Sequence, residues 1–152
     1  MADKQAQALT ESKLSELQKE LCSHTGLQIQ LEIDWSFLKS ATFLDHDADT
    51  RKEIITNLST KHAPNIVSPL EPDSLPKRCD SSEEFKQAIK DKVKKVVFTY
   101  DATNSVSDPV GCWGWFWTIL LDNATRQLLV RINLTQVILW SLGLLCFHEP
   151  SA

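Results

Sequence analysis

The sequence predicts an α+β fold: a two-layer sandwich in which an antiparallel or mixed sheet of about four strands is covered by three helices. Two kinds of periodicity indicate this class. In some segments apolar residues recur every three or four positions, which is typical of a helix with one buried face. In others apolar and polar residues alternate, which is typical of a half-buried strand. In chain order the segments predict α-β-α-α-β-β-β, followed by an uncertain last element.

The composition suits one folded domain. The 152 residues are 42% hydrophobic and 24% charged, close to the average for globular proteins. The formal net charge of −4 argues against a phosphate backbone as the main partner. We expect a single α+β domain over residues 1–135. Residues 136–152 form an apolar C-terminal tail, which we expect to be an extra strand or a docking helix.

The first predicted helix spans residues 9–25. Thr10 or Ser12 is its expected N-cap, and Gly26 follows as its expected end. Its apolar face consists of Leu14, Leu17 and Leu21. Residues 27–35, with the sequence LQIQLEIDW, then alternate strictly between apolar and polar side chains. This alternation predicts the first strand.

The middle of the chain predicts two helices separated by a loop. The first opens at Asp49 or Thr50 and runs to about Lys61. Residues 62–80 contain four prolines within fifteen residues, and proline breaks helix interiors and cannot donate to a sheet, so we expect a long surface loop. The second helix spans residues 82 to about 93, with an N-cap formed by the serines that precede Glu83.

The last third predicts a strand, a loop and a hairpin. Residues 95–100 are rich in β-branched and aromatic side chains, which favours a strand, and residues 101–111 are rich in turn formers. Residues 113–121 predict a strand whose successive side chains point to opposite faces, with the tryptophans together on one face. We expect residues 122–126 to form the turn, and residues 128–134 again carry apolar side chains at every second position.

The tryptophans are the candidate binding residues. They are Trp113, Trp115 and Trp117 on one predicted strand face, and Trp140 in the tail. Two interpretations stay open: the rings fill the core beneath the helices, or they form an aromatic surface for a partner. Tryptophan is enriched at the centres of protein interfaces. We therefore expect a binding, adaptor or regulatory domain that acts by protein–protein contact or self-association on this aromatic strand face.

Two alternatives come from other functional classes. One is a small apolar ligand held in a Trp-lined pocket. The other is a hydrolase or transferase that uses a cysteine or histidine near Asp34 or Asp101. No CxxC, HExxH or glycine-rich phosphate motif supports an enzyme, so no catalytic residue is assigned and we expect no cofactor.

No metal site and no nucleic-acid site is expected. The acidic cluster at residues 45–49 lacks the glycine and glutamate of a calcium loop, so we interpret it as a solvated loop that caps the next helix through Asp49. A basic cluster is interleaved with acidic residues, which is typical of a solvated surface. It consists of Arg78, Lys86, Lys90, Lys92, Lys94 and Lys95.

The ends of the sequence bear on location. The N-terminal segment has no apolar region typical of a secretory signal, so we expect a cytoplasmic protein, without excluding the nucleus. The longest uncharged runs, residues 109–121 and 132–148, are shorter than the roughly 20 apolar residues that a bilayer span needs. We therefore expect no transmembrane segment.

Overall fold

Within the part of the chain that the structure describes, the sheet is mixed and has four strands. The computed structural model describes residues 2–101 and 117–133. The strands are β1 (Gln30–Ile33), β2 (Lys95–Asp101), β3 (Trp117–Asp122) and β4 (Gln127–Asn133). Their order in the sheet is β1-β2-β4-β3; β1 and β4 run parallel to β2, and β3 and β4 form an antiparallel hairpin. The predicted fold class and the predicted hairpin are confirmed.

The helical layer is divided more finely than the three helices predicted. Its α-helices are α1 (Ala2–Thr25), α2 (Ala41–Leu44), α3 (Ala48–Asn57), α4 (Ala63–Val67), α5 (Leu75–Ser81) and α6 (Glu83–Lys92). A 3₁₀ turn at Trp35–Lys39 precedes α2, and a π turn at Leu58–His62 joins α3 to α4. None of the helices in the two described ranges is long and apolar enough to cross a membrane.

Helix α1 begins seven residues earlier than the predicted start at residue 9, so the expected cap at Thr10 or Ser12 is wrong. Thr10 is buried inside the helix, where its hydroxyl donates to the Ala6 carbonyl at 2.7 Å. The predicted end is confirmed. Gly26 has φ +74°, which costs glycine least, and its N–H donates to the Cys22 carbonyl.

The first strand is shorter than the alternating segment at residues 27–35. Only Gln30–Ile33 pairs as a strand, although Leu27 and Ile29 are buried as the alternation requires. The strand ends because the Asp34 carboxylate accepts the Ser36 N–H at 3.0 Å and so caps the 3₁₀ turn.

The loop predicted over residues 62–80 is wrong, because this segment contains α4 and α5. Pro64 and Pro76 lie in the first turn of these helices, where a missing N–H leaves no bond unmade. The helix predicted to run to about Lys61 is α3, which ends at Asn57 and is followed by the π turn. Its cap is Asp47, whose carboxylate accepts the Thr50 N–H at 2.8 Å, and not Asp49.

The core lies between the helices and one face of the sheet. Val96, Phe98, Tyr100, Val130 and Ile132 alternate along the two central strands and are buried. Beside them an aromatic cluster forms around Phe37, whose ring lies 5.0 Å from Tyr100, 5.4 Å from Phe43 and 5.8 Å from the partly buried Trp35. Such tilted and edge-on ring pairs add to the stabilisation from apolar burial.

The hairpin is attached to helix α6 through its turn. Ser82 caps α6 as predicted, accepting the Phe85 N–H at 3.1 Å. Near the C-terminal end of α6 lies Arg126 of the hairpin turn, which has φ +58°. Its Nη2 donates to the Asp91 carbonyl at 2.8 Å, and its own carbonyl accepts the Lys94 N–H. These bonds hold the start of β4 against the C-terminal end of α6.

Candidate binding site

The predicted tryptophan site lies mostly outside the described residues. Trp113, Trp115 and Trp140 fall there, as does the tail over residues 136–152. Trp117 is the first residue of β3, and its backbone pairs with Ile132 of β4. The structure therefore describes the hairpin on which the aromatic face was predicted, from Trp117 onward.

Strand β3 exposes three consecutive apolar side chains. Ile119 is 47%, Leu120 46% and Leu121 37% exposed. β3 is an edge strand, since the described residues pair with it only through β4. Ile119 is opposite Val130, which is fully buried, and opposite residues share a face of the sheet. The helical layer thus covers β4 but does not cover β3 to the same extent.

An apolar cavity of about 390 Å³ lies where this cover ends, and we call it the hairpin groove. Ile119 of β3 and Leu128 of β4 line it from the sheet. Phe85 and Ile89, four residues apart on α6 and therefore on one helix face, line it from the helices. Further lining residues are Ile66 and Leu75 from α4 and α5. The groove is mainly aliphatic and aromatic, and Ile119 of the exposed edge strand forms part of its wall.

The polar lining of the groove carries one charge of each sign. It consists of Asn65, Asp73 and Arg78. The Arg78 Nε donates to the Asp73 backbone carbonyl at 3.1 Å, which orients the guanidinium beside the loop before α5. Both charged side chains are exposed. The groove is therefore close to neutral overall and offers both an anion and a cation to whatever contacts it.

The opposite face of the sheet carries an apolar row that ends at the same edge. Val97 of β2 is opposite Leu129 of β4, which is opposite Leu120 of β3. Exposure increases along this row from Val97, which is buried, to Leu120 at the edge. At its other end lies the Glu32–Lys95 ion pair, with 3.4 Å between Oε2 and Nζ. Both faces of β3 therefore present apolar side chains to solvent.

The cysteines of the described residues occupy structural positions. The Cys22 Sγ donates to the Ile29 carbonyl at 3.3 Å. Cys79 is buried on α5, and this burial raises the pKa of its thiol, which disfavours the nucleophilic thiolate. Asp34, which was considered as a carboxylate partner, caps the 3₁₀ turn. These contacts give the hydrolase or transferase alternative no support from Cys22, Cys79 or Asp34.

The histidines are likewise dispersed. His24 at the end of α1 pairs with Asp80, with 2.7 Å between Nε2 and Oδ2. His62 is buried and packs edge-on against the Tyr100 ring. Within residues 2–101 and 117–133, no group of three His, Cys, Asp or Glu side chains is placed to hold a metal ion. The acidic segment at residues 45–49 serves instead to cap α3 through Asp47.

Comparison of this chain with models of protein families, with curated proteins and with solved structures finds no match. The hairpin and its groove are therefore the features from which a function can be inferred.

The groove was not predicted from the sequence, although α6 and the hairpin, which form two of its walls, were. Phe85 and Ile89 lie four residues apart in the helix predicted from residue 82 to about 93, and Ile119 and Leu128 lie in the two predicted hairpin strands. Periodicity shows which side chains share a face. It does not show where a covering layer ends, and the groove exists because the helices stop short of β3.

Proposed function

We propose that this protein is a protein-binding domain that contacts its partner through the edge of β3 and the hairpin groove. The observation that carries the proposal is the exposure of three consecutive apolar residues on an edge strand beside an apolar groove. Hydrophobic burial is the main favourable term in most protein associations, so this surface gains free energy from being covered.

The edge of β3 also determines how a bound segment would run, because that segment can pair with its backbone. An edge strand has unpaired N–H and C=O groups along one side, and an extended segment of another chain can pair with them. In such a pairing alternate side chains of the added segment point to the same face. Those on the helix-covered face would lie over Ile119 and the groove, and those on the other face would lie beside Leu120.

The small-ligand alternative has one supporting observation, the groove volume of about 390 Å³, which lies within the range of roughly 300–1,000 Å³ for ligand pockets. Such pockets enclose most of their ligand. Ile119, which forms one wall here, is 47% exposed, so the groove is open along the strand. An open groove beside a strand edge suits a length of polypeptide better than a small molecule.

A selection from random linear peptides displayed on phage tests this function with the full chain as bait. We expect the enriched peptides to share apolar residues at alternate positions. In amide spectra of the ¹⁵N-labelled protein, they should shift β3 together with Ile89 and Leu128. Ile119→Lys should abolish binding, because it places a charge in the groove wall.

The matched control is Leu9→Lys, which adds the same charge on α1, a helix that contributes no residue to the groove. This variant should bind the selected peptides as the unmodified protein does. The proposal is refuted if no peptide is enriched, or if the enriched peptides shift amides away from the hairpin and α6.

A further inference from the structure

We propose that the partner at the β3 edge is a second copy of this chain, and that the two β3 strands pair antiparallel to form one continuous sheet. This inference rests on the proposed function, since it names the occupant of the same surface. Three features of the described residues support it: an unprotected edge, apolar residues on both faces of that edge, and a groove with one charge of each sign.

The first feature is the lack of protection at the edge. Proteins commonly protect an edge strand with lysine, proline or a bulge, because an exposed apolar edge promotes aggregation. Residues 117–122, with the sequence WTILLD, contain neither lysine nor proline. The one charge is Asp122 at the end of the strand, and its carboxylate accepts the Ala124 and Thr125 N–H groups of the turn. Antiparallel pairing with an identical strand would cover both exposed edges at once.

The second feature is that β3 is complementary to a second copy of itself when the two strands pair antiparallel. A two-fold axis through Leu120 would place Leu120 opposite itself, Ile119 opposite Leu121, and Thr118 opposite Asp122. Each of the three exposed apolar residues then faces an apolar residue on the same side of the sheet, Trp117 falls opposite Asn123, and no like charges are opposed. The apolar row formed by Val97, Leu129 and Leu120 would continue across the axis into the second copy.

The third feature is the charge at the groove. In a two-fold contact each patch meets an identical patch, so a charged patch of one sign would repel itself. The groove carries Asp73 and Arg78, one acid and one base, and each copy can therefore offer a cation to the other's anion. A strongly charged peptide would find no net charge to attract it here.

The geometry also predicts how much of the surface must take part. The two-fold axis of an antiparallel strand pair is perpendicular to the sheet, so both helical layers lie on the same side of the joined sheet. Ile119 then brings one wall of each groove to the junction. A stable interface buries about 800 Å² on each partner. Three half-exposed side chains of β3 supply only part of that area. Residues of the groove must therefore contribute to the contact as well.

Analytical ultracentrifugation of the full chain from micromolar to millimolar concentration tests the inference. We expect a monomer–dimer equilibrium. Leu120→Lys should weaken dimerisation by at least about 30-fold, the effect of losing an interface hot spot, since it sets like charges opposite each other at the axis. Leu121→Lys, on the other face of the same strand, should act in the same direction. Leu9→Lys should leave the equilibrium unchanged, and circular dichroism should show that all three variants are folded.

Hydrogen exchange of the β3 amides identifies the contact. In the unmodified protein, their protection should rise with protein concentration, and in Leu120→Lys it should not. A dimer that both strand variants leave intact overturns the inference, as does a monomer at every concentration. If that monomer still binds the selected peptides at β3, the proposed function stands and only the second copy is excluded. If it binds none, both fail. A monomer whose β3 amides are protected at every concentration also overturns the inference, because the edge is then covered from within the same chain.

Discussion

Acidification is expected to destabilise this fold through His62. The imidazole lies in the π turn, is 7% exposed, and packs edge-on against Tyr100 with 5.8 Å between ring centroids. Burial, and to a lesser extent the charge of Lys61, lowers the pKa of His62 from 6.5 to about 4. The unfolded chain therefore binds a proton at a higher pH than the folded protein does. The stability that His62 contributes is fully present above pH 6.5 and is lost as the pH falls toward 4.

The expected loss of stability follows from the difference between the pKa of His62 in the unfolded chain and in the folded protein. At about pH 5, which is roughly 1.5 units below the unfolded pKa, the unfolded histidine is protonated and the folded one is still neutral. Each unit corresponds to about 1.4 kcal/mol, so the free energy of unfolding should fall by about 2 kcal/mol between about pH 7.5 and pH 5. A domain is commonly stable by about 5–15 kcal/mol, so a loss of this size is readily measured.

Urea unfolding of the unmodified protein and of His62→Gln at these two pH values provides the assay. Glutamine does not titrate, and the carboxylates are common to both proteins, so the difference between the two pH dependences isolates His62. We expect the unmodified protein to lose about 2 kcal/mol more than the variant. The same pH dependence in both proteins would refute the reasoning, because it would mean that His62 titrates alike in the folded and unfolded chain.

Two further substitutions test contacts that hold the sheet and the helices. Tyr100→Phe should lower the free energy of unfolding by about 1–3 kcal/mol in urea titrations, because the buried Tyr100 hydroxyl donates to the Ile54 carbonyl at 2.6 Å and links β2 to α3. An unchanged midpoint would mean that this bond adds no net stability. Ser82→Ala removes the cap of α6, so it should cost about 1 kcal/mol of stability and lower the midpoint of thermal unfolding. Ser82→Asp should keep most of this stability, because aspartate also caps helices. Equal losses in the two variants would show that the cap is not the cause.

The sequence was most informative where one physical signal acted alone. The β-branched and aromatic residues between Lys95 and Tyr100 predicted β2, and the alternation over residues 128–134 placed Leu128 and Val130 on one face of β4. The cap of α6 at Ser82 was predicted from serines followed by acidic residues. In these segments the local preferences and the packing favour the same structure, so the pattern alone sufficed.

The errors arose where two signals competed. Alternation over residues 27–35 predicted a long strand, but the carboxylate of Asp34 ends β1 by capping a turn. Four prolines predicted a loop over residues 62–80, but Pro64 and Pro76 lie where a helix tolerates proline best. In each case the secondary structure was determined by one residue, through its hydrogen bond or its position in a helix. The overall residue composition of the segment did not determine it.

The position of β3 in the sheet gives the strongest reason to place function at the hairpin. Its run of Ile119, Leu120 and Leu121 is continuously apolar, a pattern typical of strands that are covered on both faces and lie inside a sheet. The topology instead puts β3 outside β4, because β4 returns to pair with β2. The residues of β3 therefore suit an interior strand, while among the described residues its position is at the edge. A further strand beside β3, supplied by a partner, would remove this mismatch and cover the groove that the helices leave open.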